Sequence, residues 1–165
     1  MATDLEQGAF AGTNTFLYYN SATYASPAWV EMVRARNVQV TRGTATTEVE
    51  FHGASTTGNI HGYSTFSGSF EYVKRLGTDS VFAALEAARD NKKIVDIIHL
   101  NGPETVTSPT DASKGWRAPV ILGEFSETSN GSDAVVVTIP FVKADAYTSA
   151  GVAVNEAAYT GTQNE

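Results

Sequence analysis

A chain of 165 residues with no cysteine and a formal net charge of −7 fits one hydrophobic core that needs neither a disulfide nor a metal for stability. Its 18 carboxylates against 11 basic side chains argue against gripping nucleic acid by phosphate neutralisation, and the missing thiols exclude thiolate nucleophiles and thiolate zinc sites. No stretch approaches the roughly 18 apolar residues of a membrane span, and MATDLEQGAF at the N-terminus lacks the apolar segment of a signal peptide, so we expect a soluble chain not exported by a cleaved signal.

In chain order, residues 1–13 read as an N-terminal arm, 14–145 as a single β-rich domain and 146–165 as a weakly ordered tail, small and polar apart from Tyr147, Val152, Val154 and Tyr159. Short apolar runs separated by Gly, Ser and Thr predict many strands. The first is 14–19 (NTFLYY). A long second one, 28–41 (AWVEMVRARNVQVT), is expected to bend near Ala35 to Asn37, with Val38 and Val40 on one face and Asn37, Gln39 and Thr41 on the other. The same alternation sets Thr47, Val49 and Phe51 against Glu48, Glu50 and His52 in 45–52, and Phe70 and Tyr72 against Ser69 and Glu71 in 67–75. Between them 53–66 (GASTTGNIHGYSTF) reads as a loop.

One segment breaks the strand pattern. Residues 78–92 (TDSVFAALEAARDNK) are rich in Ala, Leu and Glu, begin with Thr78 and Asp79 as N-cap candidates, and place Val81, Phe82, Leu85 and Ala88 on one stripe. They predict an amphipathic helix that turns Glu86, Arg89 and Asp90 towards water or a partner. A strand at 94–100 (IVDIIHL) follows, with Asp96 and Ile98 on one face, then a loop over 101–115. Strands 116–128 and 132–143 flank the turn signal Ser129-Asn130-Gly131 and so predict a hairpin.

No motif carries chemistry. His52, His61 and His99 have no second ligand at metal spacing, and Glu50 with His52 on one strand face reads as a solvated pair. There is no Gly-x-Ser-x-Gly elbow, and the glycine clusters lack a following Lys-Ser/Thr and a helix to hold phosphate. The carboxylate pairs Glu48/Glu50 and Glu124/Glu127 are what wet strand faces ordinarily produce. Trp29 and Trp116, at strand ends, are more often core or interface anchors than sugar platforms. The expectation is a structural protein, not an enzyme, with no cofactor.

The order FLYY, PAWVEM, TTEVEF, GSFEYVK, the helix DSVFAALEAA, IVDIIHL and the hairpin GWRAPVILGEF/AVVVTIPF resembles the tail tube proteins of long-tailed bacteriophages, over roughly residues 14 to 145. The resemblance implies a mainly β fold, a sandwich or small barrel flanked by one helix, shared with the tubes of contractile tails and type VI secretion. It implies a major tail tube subunit of the virion, assembled in the host cytoplasm. Six copies would form a ring, rings would stack, and the lumen would hold the tape measure protein and later conduct DNA without tight binding. Terminator and tip proteins are implied at the ends; no membrane insertion, cofactor or catalytic residue is implied. The strand edges agree, since ring closure is one way to pair edges that would otherwise be exposed.

Within that resemblance the wet strand faces make Glu31, Glu48, Glu50, Glu71 and Asp96 the candidate lumen-facing residues. Arg34, Arg36 and Arg42 complicate the scheme unless paired with carboxylates. Phe10 in the arm, Gly53, Ile60, Tyr63 and Phe66 in the 53–66 segment, and Glu86 and Arg89 on the helix are the candidate inter-subunit residues. Two alternatives stay open: another ring-forming component such as a tail terminator or connector, and a monomeric carbohydrate-binding β-sandwich using Trp29, Trp116 or the tyrosines of 18–24.

Overall fold

The computed structural model describes residues 15–163 apart from 51–56, 76, 107–111, 130–133, 148–152 and 155. Four elements come from the first half: β1 (Phe16–Asn20), β2 (Trp29–Glu31), β3 (Ala35–Glu50) and β4 (Thr57–Val73). After α1 (Ser80–Asp90) come β5 (Ile94–Leu100), β6 (Thr105–Val106), β7 (Lys114–Leu122), β8 (Ser126–Thr128) and β9 (Val136–Lys143). Four short strands finish the chain: β10 (Ala146–Tyr147), β11 (Ala153–Val154), β12 (Ala157–Thr160) and β13 (Thr162–Gln163). The main sheet is antiparallel in the order β2-β1-β5-β7-β9-β4-β3, with β8 added to β9 and β12 to β7.

Strand alternation divides this sheet into two faces. One face sets Leu17, Val95, Ile97, Trp116, Ala118, Val120, Val137, Ile139, Phe141, Phe70 and Tyr72 into a single buried cluster, which Phe82 and Leu85 of α1 complete. The helix forms where expected. Asp79 is its N-cap, accepting the Phe82 backbone N–H at 3.1 Å, and its carboxylate also accepts the Tyr72 hydroxyl at 3.0 Å. On the opposite face Tyr18, Ile98 and Leu100 make a smaller cluster with Phe16, Trp29 and Tyr159.

Several expectations are corrected. The 28–41 strand is two strands, because the chain turns at Met32–Arg34: Met32 is buried, while its backbone N–H reaches Leu17 and its carbonyl accepts from Ala35. From Ala35 the strand then runs on to Glu50, taking in residues 45–50 of the predicted 45–52 strand. Val38 and Val40 pack on the core as the alternation requires. A bulge between Arg36 and Gln39 holds Asn37 at φ 51, a left-handed position that Asn tolerates better than most side chains.

Most of the expected 53–66 loop is strand: β4 begins at Thr57 and pairs with β3 down to Glu50↔Thr57. The closing hairpin is present but kinked, with one residue more in the first strand between Leu122↔Phe141 and Ser126↔Thr138, where the Gly123 N–H bonds the Pro140 carbonyl. Within the segment expected as a tail, β12 pairs with β7 over Lys114–Arg117 and β13 pairs in parallel with β6 inside the expected 101–115 loop, while residues 148–152, 155 and 164–165 lie outside the described residues.

Candidate assembly surfaces

Among the described residues the sheet ends in two strands paired on one side only, β2 and β3. The long hairpin β3–β4 reaches past the rest of the sheet, since β9 pairs with β4 only over Ser67–Val73 while β3 pairs with it from Tyr72 to Thr57. Exposed backbone N–H and C=O groups along such edges are templates for another strand.

Register places Glu31, Asp96 and Glu71 on the same face of the sheet, through the pairs Glu31↔Tyr18, Tyr18↔Ile98, Asp96↔Pro119, Ile121↔Val142 and Glu71↔Thr138. Their electrostatic situations differ. Glu71 accepts Arg36 Nε at 3.0 Å and Asn37 Nδ2 at 2.9 Å, a half-exposed pair that contributes little stability. Glu31 is partly buried and lines a cavity of about 660 Å3 with Thr15, Leu17, Arg36, Val38 and His99. Asp96 is not an open surface charge. Arg117 Nη2 lies 2.6 Å from its carboxylate, with side-chain exposures of 13% and 11%, and Arg117 Nε and Asn20 Nδ2 add further bonds.

Arg117 itself was not singled out by the sequence. Its guanidinium lies 3.7 Å from the Tyr24 ring centre and 5.0 Å from that of Trp29, and Nη2 donates to the Tyr24 carbonyl. Burial works against its charge, but the Asp96 hydrogen bonds and charge outweigh that and raise its pKa. A sequence signal existed: single opposite charges in two otherwise apolar strands, Asp96 in IVDII and Arg117 in WRAPV.

The same face is covered nearby by the C-terminal segment. Trp29 Nε1 donates to the Tyr159 hydroxyl at 3.0 Å, that hydroxyl lies 3.2 Å from Glu104 Oε1, and Thr162 Oγ1 donates to the same oxygen at 2.9 Å. Burial raises the Tyr159 pKa, and the hydroxyl remains a donor. Arg42 on β3 is paired with Glu156.

The other candidate residues are placed as follows. Glu48 and Glu50 face Asn59 and Thr57 across β3 and β4, and Ile60 faces Thr47; Tyr63 lies where the pairing shifts between Thr44↔Ser64 and Thr46↔His61. Phe10 and Gly53 lie outside the described residues. Phe66 is corrected: it is 4% exposed and packs edge-on against Trp116 with ring centres 5.1 Å apart, so it belongs to the core and offers no surface to a partner. On α1, Glu86 is half-buried, while Arg89 bonds Asp90 and covers the Phe125 ring at 4.4 Å.

Chemistry-bearing groups do not converge. Among the described residues no group of three or more His, Cys, Asp or Glu could hold a metal ion. His99 is half-buried beside Trp116, and among the described residues its buried Nε2 has no hydrogen-bond partner; burial lowers its pKa. Trp116 is core and Trp29 is capped edge-on by Tyr159, so neither tryptophan forms an open sugar-stacking platform. Among the described residues no helix is long and apolar enough to cross a membrane.

No family model matches the sequence, and no curated protein matches it. Solved structures do match the fold. The SPP1 tail tube superposes with a TM-score of 0.68 at 14% identity, covering 93% of this chain and 81% of that one. The tail of an empty gene transfer agent particle, computed with C6 symmetry, gives 0.60 at 10% identity over 84% of this chain and 96% of that one. The PVC sheath-tube complex of an extracellular contractile injection system gives 0.60 at 11% identity, covering 93% of each chain. Mainly antiparallel β with one helix among the described residues, this chain has the tail tube fold.

Proposed function

We propose that this chain is a non-catalytic virion structural protein, the major tube subunit of a long phage tail, forming stacked hexameric rings whose lumen conducts DNA. The observation that carries the proposal is the near-full-length match to subunits of tubes and tails, across phage, gene transfer agent and contractile injection particles. Two sheet edges, at β2 and β3, suit subunits that join side by side, and the projecting β3–β4 hairpin suits contact with a neighbour or the next ring. Sixfold rings follow the symmetry of the gene transfer agent tail. A tape measure protein in the lumen, terminator and tip proteins at the ends, and assembly in the host cytoplasm complete the reading.

Negative-stain electron microscopy of the purified chain tests it. Long tubes of stacked sixfold rings are expected. Single rings that never stack would point to a terminator or connector, and persistent monomers under concentrated, assembly-promoting conditions would overturn the proposal.

A further inference from the structure

Among the described residues the large exposed hydrophobic side chains are Val33, Ile94, Ile121 and Val142. Three of them are one feature. Ile94 faces Ile121 and Ile121 faces Val142 in direct cross-strand register, so they form an apolar stripe over β5, β7 and β9, 45%, 40% and 52% exposed. Directly opposed Cβ atoms lie about 5 Å apart, which makes the stripe roughly 10 Å wide. Beside it opens a hollow of about 480 Å3 that Ile94 shares with Tyr24, Pro119, Asp145 and Val154.

The fourth is a knob. Val33, 77% exposed, lies in the turn between β2 and β3, followed by the exposed Arg34. Register sets knob and stripe at opposite ends of the sheet. Glu31 lies level with Tyr18 and Ile98, so Val33 falls beyond them at the Leu100 end of β5, whereas Ile94 starts that strand. Six residues of strand separate Ile94 from Leu100, about 20 Å of rise, so one molecule cannot bring the two together.

We propose that the Val33 turn of one copy seats in the Ile94–Ile121–Val142 stripe and hollow of the next, a head-to-tail contact of this chain with itself. Charge supports a second copy as the occupant. Arg34 flanks the knob and Asp145 lines the hollow, while the other carboxylate there, Asp96, is already held by Arg117. A contact between two different patches of one chain repeats from copy to copy, which generates a ring or a filament and not an isolated pair. The proposal rests on the self-assembly reading above and names a contact within it.

The absence of native cysteine permits a direct test by mixing single-cysteine chains, Val33→Cys with Ile121→Cys or Val142→Cys, and oxidising with copper phenanthroline. Interchain disulfides should form several-fold faster in these mixtures than in either chain alone or in a control mixture of Val33→Cys with Thr138→Cys. In unlabelled chains, Arg34→Glu and Asp145→Arg should each weaken assembly by about two- to fivefold, and the double reversal should restore it. Rings or tubes in the microscope without the Val33–Ile121 adduct would overturn this contact and leave the tube reading standing. Monomers at every concentration would overturn both.

Discussion

Replacing Arg117 by Met leaves the Asp96 carboxylate in a site built around a guanidinium. The two side chains are 13% and 11% exposed, and the pair is held by contacts of 2.6 Å and 3.1 Å from Arg117. Removing one member of a buried pair costs about 3–5 kcal/mol, and the stacking of Arg117 on Tyr24 adds up to about 1 kcal/mol. Some relief comes from Asn20, which still donates to Asp96. We therefore expect a loss of about 3 kcal/mol, or a fall in Tm of about 6–12 °C for a domain of this size. The double variant Asp96→Val with Arg117→Met removes both charges, and Asn20 keeps the Thr23 carbonyl as an acceptor; it should return to within about 1 kcal/mol of the parent. Urea unfolding of the monomeric chain, followed by tryptophan fluorescence, measures the parent, both single variants (Asp96→Val and Arg117→Met) and the double variant. A single-variant loss below about 1 kcal/mol, or a double variant no more stable than Arg117→Met, would refute the view that the pair's cost lies in stranding a charge.

Asp79→Ala removes the α1 cap and the acceptor of the Tyr72 hydroxyl together, with an expected loss of about 1–2 kcal/mol in the same urea assay. Burial raises the Asp79 pKa, but the Phe82 N–H, Tyr72 hydroxyl and Arg75 N–H bonds outweigh it and the net shift is downward from 3.8. With the folded value depressed, this stabilisation is present above the ordinary carboxylate value and lost as pH falls below it, so the cost of Asp79→Ala should shrink in that acid range. His99 has the same sign for a different reason. Burial holds its folded pKa below 6.5, so the parent should lose stability as pH falls from 6.5 through that lower value, whereas His99→Phe should not; parallel urea curves at pH 7 and pH 5 read the difference.

How much was legible depends on whether the signal was local. The helix was, because Asp79 as a cap and Phe82 and Leu85 as a stripe need only neighbours in sequence. Strand faces in 38–41 and 69–72 were legible through period two. Residues 57–66 were not: their Gly, Ser and Thr carry loop chemistry, and only backbone pairing with β3 makes them strand. The same holds for Ala157–Thr160, which has little apolar content and becomes strand by adding to β7. Among the candidate surface residues, alternation orders side chains only within a strand; that Glu31, Glu71 and Asp96 share a face follows from strand register, as does the pairing of Asp96 with an arginine 21 residues away. Phe66 stands in the sequence among Gly, Ser and Thr, and its burial depends on Trp116 and Phe141, which lie far away in the chain.

The strand Ala157–Thr160 closes the second face of the sheet through the Tyr159 hydroxyl, whose donor Trp29 is 130 residues earlier in the chain. During synthesis, therefore, Trp29 waits for 130 further residues to follow it before that side can shut. Closing so long a loop carries a high entropic cost and slows folding. A chain that closes this face late leaves its apolar side chains exposed for longer, which favours association with other unfinished chains.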